Sequence, residues 1–176
     1  MRDQIVGFSV CDYHQEAQAL IRAFKEKGET ELASFMAAEL RILLGCFIEP
    51  FDILVPVPSN RNAKRERGFN PAEVLCRELS KLSPGLSWRN LLSRSRETLD
   101  QSKLGKQGRR ENQFNSMVTG SSGNRILLVD DVVTTGATLT QAKEVLENSK
   151  NIVVGFVTFA ETEPNRRNVT TQALLA

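Results

Sequence analysis

Residues that build metal sites and nucleophilic catalytic sites are scarce in this chain. Its 176 residues include three cysteines, Cys11, Cys46 and Cys76, and a single histidine, His14. The cysteines form no Cys-x-x-Cys pair, which excludes a locally encoded zinc ribbon or redox dithiol, so we expect reduced structural thiols. His14 has no partner at metal-ligand spacing, and its isolation also excludes Ser/His and Cys/His nucleophile pairs.

Long apolar segments are absent as well. Hydrophobic residues make up 40% of the chain, but no continuous run approaches the ~20 residues that a membrane-spanning helix needs. The first residues, Met1 to Asp12, lack the basic start and the long apolar stretch of a signal peptide. We therefore expect a cytoplasmic protein without membrane insertion, folded as a single domain over residues 1–176.

Positive charge is concentrated in the middle of the chain. Residues 59–111 hold 13 Lys/Arg against 6 Asp/Glu, a net charge of +7, whereas the whole chain has a net charge of +2. Such a segment is typical of binding to a phosphorylated small molecule or to nucleic acid, although a solvated basic surface has the same composition. Only two aromatic residues, Phe69 and Trp88, fall in it. These are too few for a base-stacking platform, so we do not expect direct nucleic-acid binding.

Apolar periodicity predicts helices that alternate with short strands. One helix begins near Tyr13 and ends at Gly28, and Thr30 can cap a second. Asn70 and Pro71 start a third helix, which runs to about Lys81. The residues expected on buried helix faces are Leu32, Phe35, Met36, Leu40 and Leu43 in the second helix, Val74, Leu75, Leu79 and Leu82 in the third, and Leu139, Ala142, Val145 and Leu146 in a fourth.

The predicted strands cover residues 53–57, 88–92, 125–129 and 152–159, and residues 93–113 form a long polar loop. Strands that alternate with helices predict an α/β fold, with a mainly parallel sheet flanked by helices. In such a sheet, ligands bind beyond the carboxyl ends of the strands.

The most informative segment runs from Val129 to Thr138, between the strongest strand and a helix. Its second half, Thr134-Thr135-Gly136-Ala137-Thr138, is small and rich in hydroxyl groups, so its N–H groups can surround a phosphate at the start of the helix. The adjacent carboxylates of Asp130 and Asp131 suit sugar hydroxyl groups or a hydrated hard cation. A ribose 5-phosphate satisfies both halves.

Two other phosphate-related classes of protein are excluded by residues that the chain lacks. A strand ending in Asp-Asp also opens response-regulator receiver domains, but these need a later phosphoacceptor aspartate, and residues 132–176 contain no aspartate. The Walker pattern G-x-x-x-x-G-K-[ST] is absent, which argues against a P-loop nucleotide hydrolase.

The run from Val129 to Thr138 resembles the phosphoribosyl pyrophosphate signature of type I phosphoribosyltransferases. The resemblance implies that Asp130 and Asp131 are catalytic residues that hold the ribose 2′- and 3′-hydroxyl groups, directly or through Mg²⁺ as cofactor. It also implies that the 5-phosphate is bound by Thr134, Thr135, Gly136, Ala137 and Thr138.

Other segments resemble the ComF group within that superfamily. They are Val55-Pro56-Val57-Pro58 followed by Arg65-Glu66-Arg67-Gly68-Phe69-Asn70, the early residues Ala19-Leu20-Ile21 and Phe24-Lys25, and the later residues Arg94, Arg96, Thr98, Gln101, Leu104, Arg110 and Asn112. Members of the group often begin with a four-cysteine zinc ribbon, which this chain lacks.

The fold implied by the resemblance gives roles to the basic middle of the chain. The loop after the first predicted strand would meet the pyrophosphate through Ser59, Arg61, Lys64, Arg65, Arg67 and Gly68. The segment from Arg94 to Asn112, with Arg94, Arg96, Thr98, Gln101, Arg109 and Asn112, corresponds to the flexible loop that closes over substrate. Gly105 and Gly108 are candidate hinges, and Arg110 is a candidate catalytic residue at the leaving group.

The resemblance further predicts a small N-terminal hood at residues 1–49, a core at 50–160 and a peripheral tail at 161–176. It implies a transferase that uses 5-phosphoribosyl 1-pyrophosphate and a nitrogenous acceptor that the sequence does not identify. It also implies a role in competence and DNA uptake, with a competence-associated helicase or DNA-processing proteins as candidate partners. The alternative is a non-catalytic sensor or adaptor that binds phosphoribosyl pyrophosphate in DNA uptake. A homodimer is left open.

Overall fold

The computed structural model of the protein describes residues 5–27, 30–94, 116–118, 122–162 and 169–175. Five helices and eight strands occur within these ranges. In chain order they are β1 (Ile5–Asp12), α1 (Gln15–Lys27), α2 (Thr30–Leu44), β2 (Ile53–Pro56), α3 (Arg61–Arg67), α4 (Pro71–Leu82), β3 (Ser87–Trp88), β4 (Leu92–Arg94), β5 (Ser116–Val118), β6 (Arg125–Val133), α5 (Ala137–Asn148), β7 (Ile152–Glu161) and β8 (Val169–Leu175).

Six of the strands form one parallel sheet in the order β3-β2-β6-β7-β1-β8. In the centre, β6 pairs with β2 on one side, where Pro56 lies beside Val129, and with β7 on the other, where Asp130 lies beside Thr158. Because the strands are parallel, their carboxyl ends meet at one edge of the sheet. The predicted fold class, an α/β protein with a mainly parallel sheet flanked by helices, is confirmed.

Helices bury both faces of this sheet, as expected for an all-parallel sheet. On one face, α1, α2 and α4 contribute Phe24, Met36 and Leu75 to a core that also contains Leu127 and Val129 of β6. On the other face, a second core includes Ile126 and Leu128 of β6, Phe156 of β7, and Leu139 and Leu146 of α5. The alternation along β6 therefore sends successive side chains to opposite cores.

Several predicted elements differ in detail from the structure. The predicted strand at 88–92 is wrong as one element, because β3 joins the large sheet whereas β4 pairs antiparallel with β5. Phe35 and Leu82, predicted to be buried, are 49% and 39% exposed. Both lie at the margin of an apolar stripe, where periodicity alone does not tell which residues a neighbouring element covers. The short helix α3 falls in a segment predicted to be a loop.

The two ends of the chain take part in the central sheet. Ile5–Asp12, placed by the sequence in the hood, forms β1 between β7 and β8, and the predicted tail contributes β8 at the edge. These pairings join residues more than a hundred positions apart in the chain, such as Ser9 and Thr158, and local periodicity does not encode them. Among the described residues, no helix is long and apolar enough to cross a bilayer.

Candidate functional site at the carboxyl edge of the sheet

The loop between β6 and α5 forms a cradle of main-chain and hydroxyl groups. Gly136 adopts the left-handed conformation, with φ of 73°, and its carbonyl accepts the N–H of Thr140 at 2.9 Å. Gly136 at the N-cap has no side chain to cap α5, and Thr135 Oγ1 accepts the N–H of Ala137 at 3.4 Å. A cavity that is partly open to solvent is lined by Asp130 and by residues 132–139. The helix start supplies further N–H donors and a positive dipole end, which is suited to a phosphate.

The acidic pair lies at the end of β6, beside this cradle. The N–H of Asp131 donates to Asp130 Oδ1 at 2.9 Å. Burial of the Asp130 carboxyl, together with the charge of Asp131, raises the pKa of Asp130 well above its ordinary value, although the Asp131 N–H and the charge of Lys25 oppose the shift. Two carboxylates are therefore held together at the sheet edge at an electrostatic cost, as is common at binding sites.

Lys25 reaches the acidic pair from α1. Its Nζ lies 2.6 Å from Asp131 Oδ2. That oxygen is buried and accepts no well-oriented hydrogen bond within the described part of the chain, so the contact is one between charges. Lys25 has no role in the site that the sequence predicts. A signal was present, because Lys25 follows Ile21 by four positions and so shares the buried face of α1, where an unpaired lysine is rare.

The loop after β2 forms the opposite wall of the site. Asn70 organises it: its Nδ2 donates to Val57 O at 3.1 Å, and its Oδ1 accepts from Ser59 Oγ at 2.7 Å and from Ala72 N at 3.3 Å. Asn70 thus caps α4 and ties the loop to the end of β2. The loop leaves a pocket open to solvent, lined by Lys25, Val57, Pro58, Ser59, Asn60, Ala63, Arg67, Arg94, Asp130, Asp131 and Thr138.

The structure divides the predicted pyrophosphate residues into two groups. Ser59 and Arg67 line the pocket. By contrast, Lys64 Nζ is 2.8 Å from Glu73 Oε1, and Arg61 Nη2 donates to Arg94 O at 3.0 Å. Arg65 is exposed on α3 and does not line that pocket. Gly68, with φ of 82°, ends α3 and reverses the chain.

Arg94 is the one predicted flexible-loop residue within the described ranges. Its Nε donates to Pro58 O at 3.0 Å, which brings β4 against the loop after β2. Burial of its guanidinium lowers the pKa of Arg94, and the charge of Asp130 opposes that shift. The residues outside the described ranges are Arg96, Thr98, Gln101, Leu104, Gly105, Gly108, Arg109, Arg110 and Asn112.

The acidic pair fits a divalent cation that brings further ligands with it. Mg²⁺ prefers carboxylate oxygens, and Asp131 Oδ2 is a buried oxygen without a hydrogen bond. The described residues contain no group of three or more His, Cys, Asp or Glu side chains able to hold a metal. Asp130 and Asp131 can thus supply only part of an octahedral shell, which suits Mg²⁺ that keeps waters and takes phosphate oxygens from a ligand.

Comparison with known proteins agrees with this geometry. Residues 65–172 match the model of the phosphoribosyl transferase domain family. Competence protein F of Haemophilus influenzae is 33% identical over 100 residues, which cover 54% of this chain and 44% of that protein. Competence protein ComFC of Bacillus subtilis is 28% identical over 132 residues, which cover 74% of this chain and 53% of that protein.

The chain therefore matches about half the length of these two relatives. Among solved structures, Leishmania donovani UMP synthase superposes with a TM-score of 0.52 at 17% identity, covering 82% of this chain and 27% of that one. At this identity the superposition is evidence for the fold alone. Together with the domain match, these likenesses identify the chain as a ComF-like member of the type I phosphoribosyltransferase family.

Proposed function

We propose that this protein binds 5-phosphoribosyl 1-pyrophosphate with Mg²⁺ and transfers its phosphoribosyl group to a nitrogenous acceptor. The observation that carries the proposal is that two cavities of different chemistry meet at the same residues. The phosphate cradle and the basic pocket both include Asp130 and Thr138. A ligand with a phosphate at one end, a ribose in the middle and a pyrophosphate at the other end fits such a joined site.

Each part of the ligand has matching groups. The 5-phosphate lies against the N–H groups and hydroxyls of Thr134–Thr138. The ribose hydroxyl groups face the Asp130 and Asp131 carboxylates, which accept hydrogen bonds when ionised. The pyrophosphate binds in the pocket lined by Ser59, Arg67 and Arg94, where each planar guanidinium group can donate two hydrogen bonds to phosphoryl oxygens.

The transfer breaks the bond between the anomeric carbon and the pyrophosphate oxygen and forms a carbon–nitrogen bond to the acceptor. The electron pair leaves with the pyrophosphate, and the acceptor nitrogen loses its proton to water. Mg²⁺, when bound, supplies charge neutralisation at the leaving group. The chain's own contribution is electrostatic. Arg67 and Arg94 stabilise the negative charge that grows on the pyrophosphate, and Asp130 and Asp131 stabilise the positive charge that develops on the ribose.

Ligand binding is tested by thermal unfolding and calorimetry. Phosphoribosyl pyrophosphate with Mg²⁺ should raise the melting temperature, because a ligand that binds only the folded state stabilises it by about 2.7 kcal/mol at 100 times its dissociation constant. EDTA should reduce the shift. An unmoved melting curve at saturation, with no heat of binding, would overturn the proposal.

A paired variant tests the location of the site. Replacing both Asp130 and Asp131 by asparagine keeps the size of the side chains and removes their charge. Affinity for the ligand should fall at least about tenfold, equivalent to roughly 1.4 kcal/mol, while the variant still folds. Glu144→Gln/Glu147→Gln on the outer part of α5 removes the same charge away from both cavities and should leave affinity unchanged.

A second candidate function is ligand binding without turnover, as a sensor in DNA uptake. The relatives named competence proteins favour it, because that name refers to DNA uptake and not to nucleotide synthesis. Incubation with phosphoribosyl pyrophosphate, Mg²⁺ and a panel of nitrogenous bases separates the two candidates. Released pyrophosphate identifies a transferase, whereas saturable binding without release from any acceptor supports the sensor.

A further inference from the structure

The contact between α1 and the acidic pair has no counterpart among the other basic residues of the pocket. Lys25 Nζ and Asp131 Oδ2 are 2.6 Å apart, and the side chains are 31% and 10% exposed. Arg67 instead donates through Nε to Ala63 O at 3.0 Å, and Arg94 donates to Pro58 O at the same distance. Among the described residues that line this pocket, Lys25 is thus the cation in ion-pair contact with the carboxylate that would meet Mg²⁺.

We propose that Lys25 competes with the divalent cation for Asp131 and thereby makes cation binding depend on the pyrophosphate ligand. This inference rests on the proposed function for the identity of that anion. The competition itself follows from contact distances. One carboxylate oxygen that holds an ammonium group at 2.6 Å cannot also coordinate Mg²⁺ at about 2.1 Å without the two cations approaching each other closely.

The displaced ammonium group has an unfavourable destination when no anion is bound. Lys25 lines the same pocket as Arg67 and Arg94, so an ammonium group that leaves the acidic pair for the arginine side of this pocket approaches two other cations. With a pyrophosphate in the pocket, the same movement brings the ammonium group to an anion. A divalent cation that binds alone must therefore displace Lys25 from Asp131. When the cation binds together with the pyrophosphate, the displaced ammonium group can pair with that anion.

Titration with Mn²⁺ alone, followed by water proton relaxation at mildly alkaline pH, tests the competition without any organic ligand. The Lys25→Gln variant should bind Mn²⁺ at least about tenfold more tightly than the wild type. Arg22→Gln is the matched control, since Arg22 is on the same helix, pairs with Glu26 and lines neither cavity. It removes the same charge and should leave Mn²⁺ affinity close to that of the wild type.

Two further variants assign the effect to the contact. Lys25→Arg keeps a cation beside Asp131 and should restore most of the competition. Adding Asp131→Asn to Lys25→Gln should abolish the gain in Mn²⁺ affinity, because the oxygen for which the two cations compete is then neutral. A gain that survives Asp131→Asn would overturn the inference, and so would equal Mn²⁺ affinities, or absent Mn²⁺ binding, in Lys25→Gln and Arg22→Gln.

Dependence on the anion is measured by repeating the titration with inorganic pyrophosphate and with phosphoribosyl pyrophosphate. In the wild type, bound ligand should tighten Mn²⁺ binding more than it does in Lys25→Gln, and an equal effect in both overturns this part of the inference. The proposed function fails separately, if phosphoribosyl pyrophosphate binds to none of the proteins. In that case a gain in Mn²⁺ affinity for Lys25→Gln still supports the competition at Asp131.

Discussion

The phosphate cradle and the basic loop after β2 face each other across one site, yet they are built in different ways. The cradle, Thr134–Thr138, is five consecutive residues that follow β6 and include the first two residues of α5, and the groups it offers a ligand are largely main-chain donors. The basic loop, Ser59–Gly68, which includes the short helix α3, can contact a ligand mainly through its side chains. Long basic side chains can pair with any of several neighbouring groups. In the structure, Lys64 pairs with Glu73, whereas Arg67 lines the pocket.

Because of this difference, the two parts of the site are not equally predictable from the sequence. A main-chain site depends on backbone conformation, which a short run such as Thr-Thr-Gly-Ala-Thr encodes locally. A side-chain site depends on which of several similar residues is left available by its neighbours. Four basic residues in α3 look equivalent in sequence, but β4 provides the partner of Arg61 and α4 that of Lys64, whereas Arg67 donates to Ala63 O within α3.

The largest loss of ligand affinity is expected from Gly136→Ala, which alters the backbone of the cradle. A non-glycine residue in the left-handed conformation costs about 1–2 kcal/mol. If the free loop relaxes to avoid this cost, binding must restore the conformation, and the affinity for ribose 5-phosphate should fall about tenfold. Isothermal titration with ribose 5-phosphate measures the loss.

Gly123→Ala is the control for Gly136→Ala. Gly123 also has a positive φ, of 79°, and lies in the turn before β6, away from the cavity. This variant should lose stability and keep its affinity for ribose 5-phosphate. If Gly136→Ala binds ribose 5-phosphate as the wild type does, the cradle does not depend on its backbone conformation.

A smaller effect is expected when Arg67→Ala is compared with Arg65→Ala. Both remove one charge from α3, but Arg67 lines the pocket and Arg65 does not. Arg67→Ala should weaken phosphoribosyl pyrophosphate about fivefold through a lost charge-assisted hydrogen bond, and it should leave ribose 5-phosphate unaffected. Titration of each variant with both ligands and with a single-stranded oligonucleotide shows whether the basic segment binds the pyrophosphate or nucleic acid. Equal losses of oligonucleotide affinity with unchanged ligand binding would make the basic segment a nucleic-acid surface.

The smallest expected effect is on the thermal stability of the ligand-free protein, and it arises from the charge of Asp130. Because burial and Asp131 raise the folded-state pKa of Asp130, the protonated carboxyl stabilises the fold below the ordinary carboxyl pKa of about 3.9. That stabilisation is lost as pH rises through the raised pKa. Asp130→Asn should therefore melt at a higher temperature than the wild type at neutral pH, and the difference should shrink in acid. A variant that melts lower at neutral pH would show that the charged pair is not a source of instability.

Much of the fold was predictable because its helices and buried strands have strong local signals. The residues around Asn70 and Pro71 predicted the start of α4, and the apolar run before Asp130 predicted β6. The strand β1 was missed, because Gly7 and Ser9 interrupt its apolar pattern and its partners lie at the other end of the chain. A Cβ on Gly7 would collide with the ring of Phe156, so this residue is small for a packing reason that only the folded chain reveals.

By itself, the sequence determined the fold class and predicted Thr134–Thr138 and the neighbouring acidic pair as the candidate site, since each depends on a short contiguous segment. The tertiary structure decided which basic side chains lie at the candidate site. It directed Lys64 to Glu73, left Arg67 at the pocket and brought Lys25 from α1 to Asp131. The reason is physical: backbone conformation follows from local sterics, whereas the partner of a long charged side chain is set by whichever opposite charge the packing of distant elements places within its reach.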